Sequence, residues 1–163
     1  MRVLAEKTEK FRVCGVKAPA GSESREEMRS AFLGKDNGAR FECLLGCGEG
    51  FYGVLRREGR ISTIERKERE SAFSHNGAYL YGKRVFPTVY MPAGGTQWTI
   101  PAGTFLKADF SEKETCALGI EGAWKFLEDI YIPSRHYVRD ESNPFRIEYY
   151  TGSGHIQLWV PVI

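Results

Sequence analysis

The chain has 163 residues, of which 42% are hydrophobic and 27% are charged, and these proportions are typical of a globular protein that buries a sizeable core. Its formal net charge is only +2 at pH 7, with both signs interspersed, so no cluster of basic residues predicts direct binding to nucleic acid. The N-terminal segment lacks the apolar core of a signal peptide, and the apolar runs elsewhere are too short to cross a bilayer, so we expect a cytoplasmic protein without membrane contact.

The first half of the chain, about residues 1–57, is predicted to contain a strand, a helix and two further strands. Alternating apolar residues indicate the first strand over residues 10–18. The helix begins after an N-cap at Ser22 or Ser24, and it ends before Gly34. The two further strands are expected at about 39–46 and 51–57.

A charged connector is predicted to follow, over residues 58–83. From Arg56 to Glu70 nearly every other residue is charged, and the signs are mixed. Such a pattern is typical of a solvated segment and not of a binding patch.

The second half, about residues 84–163, is predicted to repeat the order strand, helix, strand, strand. Ser111 and Glu114 form a capping box at the start of its helix, and Pro133 marks the end of that helix. A strand with two prolines is expected at 84–92, at a sheet edge or in an irregular stretch. A second strand is expected at about 103–110, and a closing hairpin at 145–163. The sequence therefore predicts a single α+β domain of two pseudo-symmetric halves, with antiparallel sheets and a cleft between the two helices.

The closing hairpin turns at Gly152, Ser153 and Gly154, because glycines supply the positive φ that a tight reversal needs. Alternation along its strands separates Ile147 and Tyr149 from the remaining residues of the first strand. We expect one face of the hairpin to be aliphatic. The other face is expected to carry Glu148, Tyr150, Gln157 and Trp159, and we predict that these side chains line one concave site.

The cysteines and histidines do not have the spacing of a metal site. The cysteines are Cys14, Cys43, Cys47 and Cys116, and the histidines are His75, His136 and His155. We expect buried free thiols, with a redox role for the pair at 43 and 47 as an alternative, and histidines on the surface. No metal and no cofactor is predicted.

The segments IPAGTF, AWKFL and FRIEYY…IQLWVPV, taken in this order, resemble the GyrI-like effector-binding family, which also occurs fused to AraC-type and MerR-type transcription regulators. The resemblance covers residues 84–163, and over residues 1–60 it depends on the order of the elements. It implies a cleft between two helices that holds an organic ligand among aromatic side chains. No helix-turn-helix segment is present in this sequence, so a stand-alone binding domain is expected.

The resemblance also assigns positions to the site. A buried glutamate in the final hairpin faces the ligand in members that bind cationic drugs, and here it is Glu148. Trp159 matches the aromatic residue before the closing VPV, Gln157 is a second polar position, and Trp98 matches a residue at the rim.

Aromatic rings attract cations, so Glu148 with Tyr150, Trp159 and Tyr90 would make a site for a lipophilic cation. The alternative is that Glu148 is a structural acid paired with Arg146, Arg135 or tyrosine hydroxyls. Trp124 is compatible with either a ligand contact or a core position.

Three functions follow from these observations. The first is a cytoplasmic protein that sequesters or senses amphipathic, cationic aromatic molecules, with a regulatory protein as partner in the sensing role. The second is a hydrolase of strained, reactive xenobiotics, with Glu148 as general base. The third is an inhibitor of DNA gyrase, for which an acidic surface is expected and a net charge of +2 is unfavourable.

Overall fold

The computed structural model of the chain describes residues 1–19, 25–33, 50–57, 77–86 and 94–163. Within these residues the strands are β1 (Arg2–Thr8), β2 (Phe11–Pro19), β3 (Phe51–Arg57), β4 (Gly77–Val85), β5 (Thr96–Ile100), β6 (Gly103–Phe110), β7 (Phe145–Tyr150) and β8 (Ile156–Val162). The helices are α1 (Arg25–Leu33), α2 (Glu112–Lys125) and α3 (Ile132–Ser134), and a π-helical segment (Phe126–Tyr131) joins α2 to α3.

The strands form one antiparallel sheet whose order is β1-β6-β8-β7-β3-β4-β2-β5. This order is pseudo-symmetric about the pairing of β7 with β3, because β8 and β6 on one side correspond to β4 and β2 on the other. The edge strands are exchanged: β1 precedes β2 in the chain but pairs with β6, and β5 precedes β6 but pairs with β2. The predicted α+β class and the two strand-helix-strand-strand halves are confirmed.

Strand β4 corrects the predicted connector. Residues 77–83 were expected in the charged connector, but they belong to a strand that is buried along most of its length. The strand expected over 84–92 begins earlier, at Gly77, and ends at Val85. It lies between β3 and β2 inside the sheet, so the predicted edge position is wrong. Mixed charges over the preceding residues obscured the alternation of Tyr79 and Tyr81 with their neighbours. The strand predicted at 39–46 and residues 87–92 lie outside the described residues.

The helices form where the sequence predicts them. In α1 the buried side chains are Met28 and Phe32, while the expected N-caps at 22 and 24 lie outside the described residues. At the start of α2 the Ser111 hydroxyl accepts from the Glu114 amide at 3.2 Å, and the Glu114 carboxylate accepts from the Ser111 amide at 3.1 Å. The capping box is therefore confirmed. None of the helices in the described ranges is long and apolar enough to cross a membrane.

The sheet is strongly curled, and it separates two cores. The rings of Phe11 on β2 and Trp159 on β8 lie 6.1 Å apart, although these strands are four positions apart in the sheet. In a flat sheet this separation is about 19 Å. We call the enclosed side the inner face; its buried residues are Phe11, Val13, Tyr52, Val54, Ala78, Leu80, Trp98, Ile100, Phe105, Phe145, Ile147 and Trp159. The opposite side, which we call the helix face, packs against α1, α2 and the π-helical segment.

Gly15 is required by the close approach of β2 to β4. It pairs with Gly82, and a Cβ atom at Gly15 would lie 2.0 Å from the carbonyl oxygen of Tyr81. Because the obstacle is backbone, we expect Gly15→Ala to lower the free energy of unfolding by about 1–3 kcal/mol or more, measured by denaturant titration. The matched control is Gly103→Ala, whose Cβ would have nothing within 4 Å. Equal effects for the two variants would contradict this account.

Candidate functional site

Glu148 lies in the middle of the helix face. It is on β7, it pairs with Gly53 of β3 at the centre of the sheet, and its side chain is 0% exposed. A carboxylate without water must be compensated by hydrogen-bond donors or by an opposite charge. The partners of Glu148 therefore decide what this position does.

Five donor atoms from four described residues surround the Glu148 carboxylate. Nε of Arg25 donates to both oxygens at 3.0 Å, and Nη2 donates to Oε2 at 2.9 Å. The Trp124 indole donates to Oε2 at 2.7 Å. Oε1 also accepts from the hydroxyls of Tyr79 at 3.0 Å and Tyr150 at 2.8 Å. Both oxygens are saturated, and Arg25 neutralises the charge.

These partners come from both halves of the domain. Arg25 opens α1, Tyr79 is on β4, Trp124 is near the end of α2, and Tyr150 ends β7. Their convergence depends on Gly53, because a Cβ atom there would lie 2.1 Å from the Tyr79 hydroxyl oxygen. The pseudo-symmetric fold thus builds the site where its halves meet.

An aromatic cluster extends from Glu148 along the helix face, and it consists of Phe32, Phe51, Tyr81 and Tyr150. Phe51 stacks on Tyr81 with ring centroids 6.0 Å apart, and Phe32 meets both rings edge-on at 6.0 and 5.8 Å. Tyr81 also contacts Tyr150 at 5.9 Å. Since Phe51 and Tyr150 are half-buried, the cluster joins the buried carboxylate to the surface.

The tyrosines around Glu148 are held in the neutral form. Burial, followed by the negative charge of Glu148, raises the pKa of Tyr79 and of Tyr150 well above the usual range. Burial also raises the pKa of Tyr81 to about 12. Each hydroxyl therefore stays a proton donor or acceptor at physiological pH.

A loss of stability at high pH follows from the raised pKa of Tyr79. Unfolded tyrosine ionises near pH 10, whereas folded Tyr79 keeps its proton. Its contribution is thus complete below about pH 10 and falls above it, by about 1.4 kcal/mol per pH unit. Denaturant titrations between pH 8 and 11.5 should show a steeper fall for the wild type than for Tyr79→Phe. Parallel curves would show that Tyr79 ionises normally.

The structure brings some of the predicted site residues together. Glu148, Tyr150 and Trp124 share the helix face and are hydrogen-bonded. Tyr90 lies outside the described residues. Trp124 is a core residue and a partner of the carboxylate at once, being 0% exposed.

The prediction that Gln157 and Trp159 share a face with Glu148 is wrong. In the hairpin Glu148 pairs with Leu158, and Trp159 pairs with Ile147. Directly paired residues point to the same side of a sheet, so Gln157 and Trp159 belong to the inner face. Alternation within each strand was predicted correctly, but the register between the strands was not.

Trp98 also lies on the inner face, 6% exposed, and is therefore not at the rim of the Glu148 site. The Arg56 guanidinium covers its ring at 4.4 Å. Trp159 donates to the Gln157 amide oxygen at 3.2 Å, and the Lys107 ammonium lies 3.9 Å from its ring centroid. The inner face thus has aromatic rings capped by cations from the protein itself.

Sequence reasoning missed two main partners of Glu148, Arg25 and Tyr79. The arginines weighed as partners lie elsewhere: Arg146 pairs with Glu128 at 2.5 Å, and Arg135 lies over the Tyr131 ring. The alternation in GAYLYG is typical of a strand, and it would have placed Tyr79 on the same face as Tyr81. No local pattern could have found Arg25, because 123 residues separate it from Glu148.

The remaining candidates differ in their outcome. Cys14 is buried as expected, and burial raises its pKa. Cys116 is exposed, so the prediction of a buried thiol is wrong there. His136 is exposed, while His155 is half-buried and lies 3.1 Å from Asp109. Among the described residues no group of His, Cys, Asp and Glu could hold a metal ion. Cys43, Cys47 and His75 lie outside them.

Comparison with known proteins places the fold. No protein-family model matches the chain, and no curated protein matches it. Among solved structures, SAV2435 bound to tetraphenylphosphonium superposes with a TM-score of 0.65 at 12% identity, over 100% of this chain and 94% of that one. The EcmrR C-terminal domain gives a TM-score of 0.65 at 10% identity, over 99% and 97% of the two chains. The chain has a GyrI-like fold.

A third neighbour agrees with this assignment. A protein from Staphylococcus aureus MU50, described as a bacterial transcription regulation protein, superposes with a TM-score of 0.59 at 10% identity, over 99% of this chain and 98% of that one. At these identities the likeness concerns the fold. The GyrI-like fold that the sequence resemblance implied is therefore confirmed, and the function of the site is argued from its own residues.

Proposed function

We propose that this GyrI-like domain binds lipophilic organic cations that carry aromatic groups, and that Glu148 is the group that recognises their charge. The observation that carries the proposal is a fully buried carboxylate beside an aromatic cluster that reaches the surface. A carboxylate with a purely structural role needs hydrogen-bond donors or an opposite charge to compensate its burial. It does not need a cluster of aromatic rings that connects it to the protein surface.

Physical chemistry and one structural neighbour support this choice. The faces of aromatic rings attract cations, and the attraction grows when water is excluded. The cluster of Phe32, Phe51, Tyr81 and Tyr150 offers such faces next to the negative charge. SAV2435, which shares the fold, was solved with tetraphenylphosphonium bound, and this compound is an aromatic cation.

The test is a titration with three compounds of related shape and different charge. Tetraphenylphosphonium, neutral triphenylphosphine oxide and anionic tetraphenylborate are added to the protein, and binding is followed by calorimetry and by tryptophan fluorescence. We expect the cation to bind most tightly and the anion least. Equal affinities, or preference for the anion, would reject charge recognition by Glu148.

In the cell, such a domain would sequester or sense cationic compounds in the cytoplasm. Sensing needs a regulatory protein that responds to the bound form, whereas sequestration needs none. A pull-down from lysate with and without tetraphenylphosphonium distinguishes these roles. A sensor retains its partner protein either only with the compound or only without it, whereas a sequestering protein shows no such difference.

Hydrolysis is the second candidate function, and the tyrosine hydroxyls favour it. Tyr79 and Tyr150 lie within hydrogen-bond distance of Oε1 of Glu148, as a general base with proton-relaying neighbours requires. Against it, both oxygens already accept several donors, so no lone pair is directed at a water molecule. If the protein consumes a strained electrophile such as an aryl epoxide, and Glu148→Gln binds it without turnover, hydrolysis is the function.

A further inference from the structure

Arg25 occupies the position that a cationic ligand would take at Glu148. Its guanidinium makes a two-point contact with the carboxylate: Nε donates to Oε1 at 3.0 Å and Nη2 donates to Oε2 at 2.9 Å. The other donors, Trp124, Tyr79 and Tyr150, are neutral. The described part of the site thus contains one cation in direct contact with Glu148, and that cation belongs to the protein.

The ligand and Arg25 cannot both use the carboxylate in this arrangement. Oε1 and Oε2 each accept from three donors, and a carboxylate oxygen has about two lone-pair directions. A cation that donates hydrogen bonds must therefore replace a donor. A cation without donors, such as tetraphenylphosphonium, gains the full attraction of Glu148 only when the Arg25 guanidinium, which neutralises the carboxylate, has moved away. Trp124 is fixed in the core, with an exposed fraction of 0%, whereas the Arg25 side chain is 21% exposed and lies at the first residue of α1.

We infer that Arg25 is a built-in competitor for the ligand site and determines which cations the domain accepts. A ligand binds by taking the place of the guanidinium, so weakly held cations are rejected and only those that also gain contact with the aromatic cluster succeed. This inference rests on the proposed function. It adds a residue that sets the affinity threshold, and it explains how a buried carboxylate is kept stable while no ligand is bound.

Release of Arg25 is feasible because α1 is held by other residues. Met28 and Phe32 anchor the helix in the core, each 3% exposed, and they lie one and two turns further along. The long arginine side chain regains rotamer freedom when it leaves the carboxylate. Neither the sheet nor the helix has to unfold for the exchange.

The experiment compares Arg25→Gln, Arg25→Lys and a matched control, Arg29→Gln, in titrations with tetraphenylphosphonium. Arg29 is exposed and is not among the described donors to Glu148, although its charge acts on Tyr81 of the aromatic cluster. Its replacement therefore removes the same charge from the same helix without breaking the contact with the carboxylate. We expect Arg25→Gln to bind the cation about tenfold more tightly or better, since no charged hydrogen bonds have to be broken. Arg29→Gln should change affinity by less than about threefold, because an exposed charge is screened.

Arg25→Lys protects the test against loss of folding, which Arg25→Gln risks by leaving Glu148 without its ion-pair partner. Lysine keeps the charge but lacks the planar two-point contact. We therefore expect Arg25→Lys to bind tetraphenylphosphonium with an affinity between that of the wild type and that of Arg25→Gln. A second readout is the Nε–H NMR signal of Arg25. It should be protected from solvent exchange in the free wild type and lose that protection when tetraphenylphosphonium is added.

The outcomes separate this inference from the proposed function. The competitor role is supported if the Arg25 variants bind the cation more tightly than the wild type does. It is also supported if the Arg25 variants bind the cation and the wild type does not. If the wild type binds and Arg25→Gln or Arg25→Lys binds no better than Arg29→Gln, Arg25 is not a competitor, and the proposed function survives. If none of these proteins binds the cation, the proposed function fails and the inference fails with it.

Discussion

Replacing Glu148 with Gln is expected to weaken tetraphenylphosphonium binding by about tenfold or more, while triphenylphosphine oxide changes by less than about threefold. A cation about 6 Å from a carboxylate gains about 3 kcal/mol at an effective dielectric constant of about 20. The amide of Gln removes this attraction with little change in shape. Calorimetric titration of wild type and variant with both compounds measures the difference.

A control must separate lost attraction from new repulsion. In Glu148→Gln the Arg25 charge no longer faces a carboxylate at position 148, and it then repels a cationic ligand. The double variant Arg25→Gln with Glu148→Gln has neither charge, so its affinity for the cation should exceed that of Glu148→Gln and stay below that of Arg25→Gln. If Glu148→Gln weakens the neutral and the cationic compound equally, the site does not recognise charge.

Replacing Trp124 with Ala is expected to lower the free energy of unfolding by about 3–5 kcal/mol. The side chain is completely buried, and its indole N–H donates to the buried Glu148 carboxylate at 2.7 Å. Both the cavity and the lost hydrogen bond to a charged group contribute to the loss. Denaturant unfolding followed by circular dichroism measures it.

Trp124→Phe divides this effect between packing and hydrogen bonding. Phenylalanine retains an aromatic ring but has no donor, and we expect a loss of about 1–3 kcal/mol from the missing hydrogen bond to the charged carboxylate. A value near zero for Trp124→Phe would show that the indole bond does not contribute. A loss below about 1 kcal/mol for Trp124→Ala would contradict the core position itself.

The elements of the second half could be predicted because their signals are local. The capping box at Ser111 and Glu114 concerns neighbouring backbone groups, and the Gly152–Gly154 turn lies between two apolar strands. Strand β4 was assigned in part to the connector because a charged stretch precedes it. The edge strands β1 and β5 were missed, since their pairing with the opposite half leaves no local trace.

The candidate site could be predicted only for residues on one strand or one helix. Alternation placed Glu148 and Tyr150 together correctly. The face on which Trp159 lies depends on the register of the hairpin, and the length of the turn sets that register. Grouping polar and aromatic side chains of the two strands onto one face did not predict the register. Arg25 and Tyr79 reach Glu148 through the pairing of the two halves, which neither periodicity nor spacing reveals.

The central claim, that a ligand binds at Glu148 on the helix face, is tested most directly by fluorine NMR of protein labelled with 5-fluorotryptophan. The chain has three tryptophans: Trp124 contacts Glu148 on the helix face, and Trp98 and Trp159 lie on the inner face. Saturation with tetraphenylphosphonium should shift the Trp124 resonance, assigned with Trp124→Phe, and leave the other two nearly unchanged. Shifts of Trp98 and Trp159 with an unmoved Trp124 would contradict the claim.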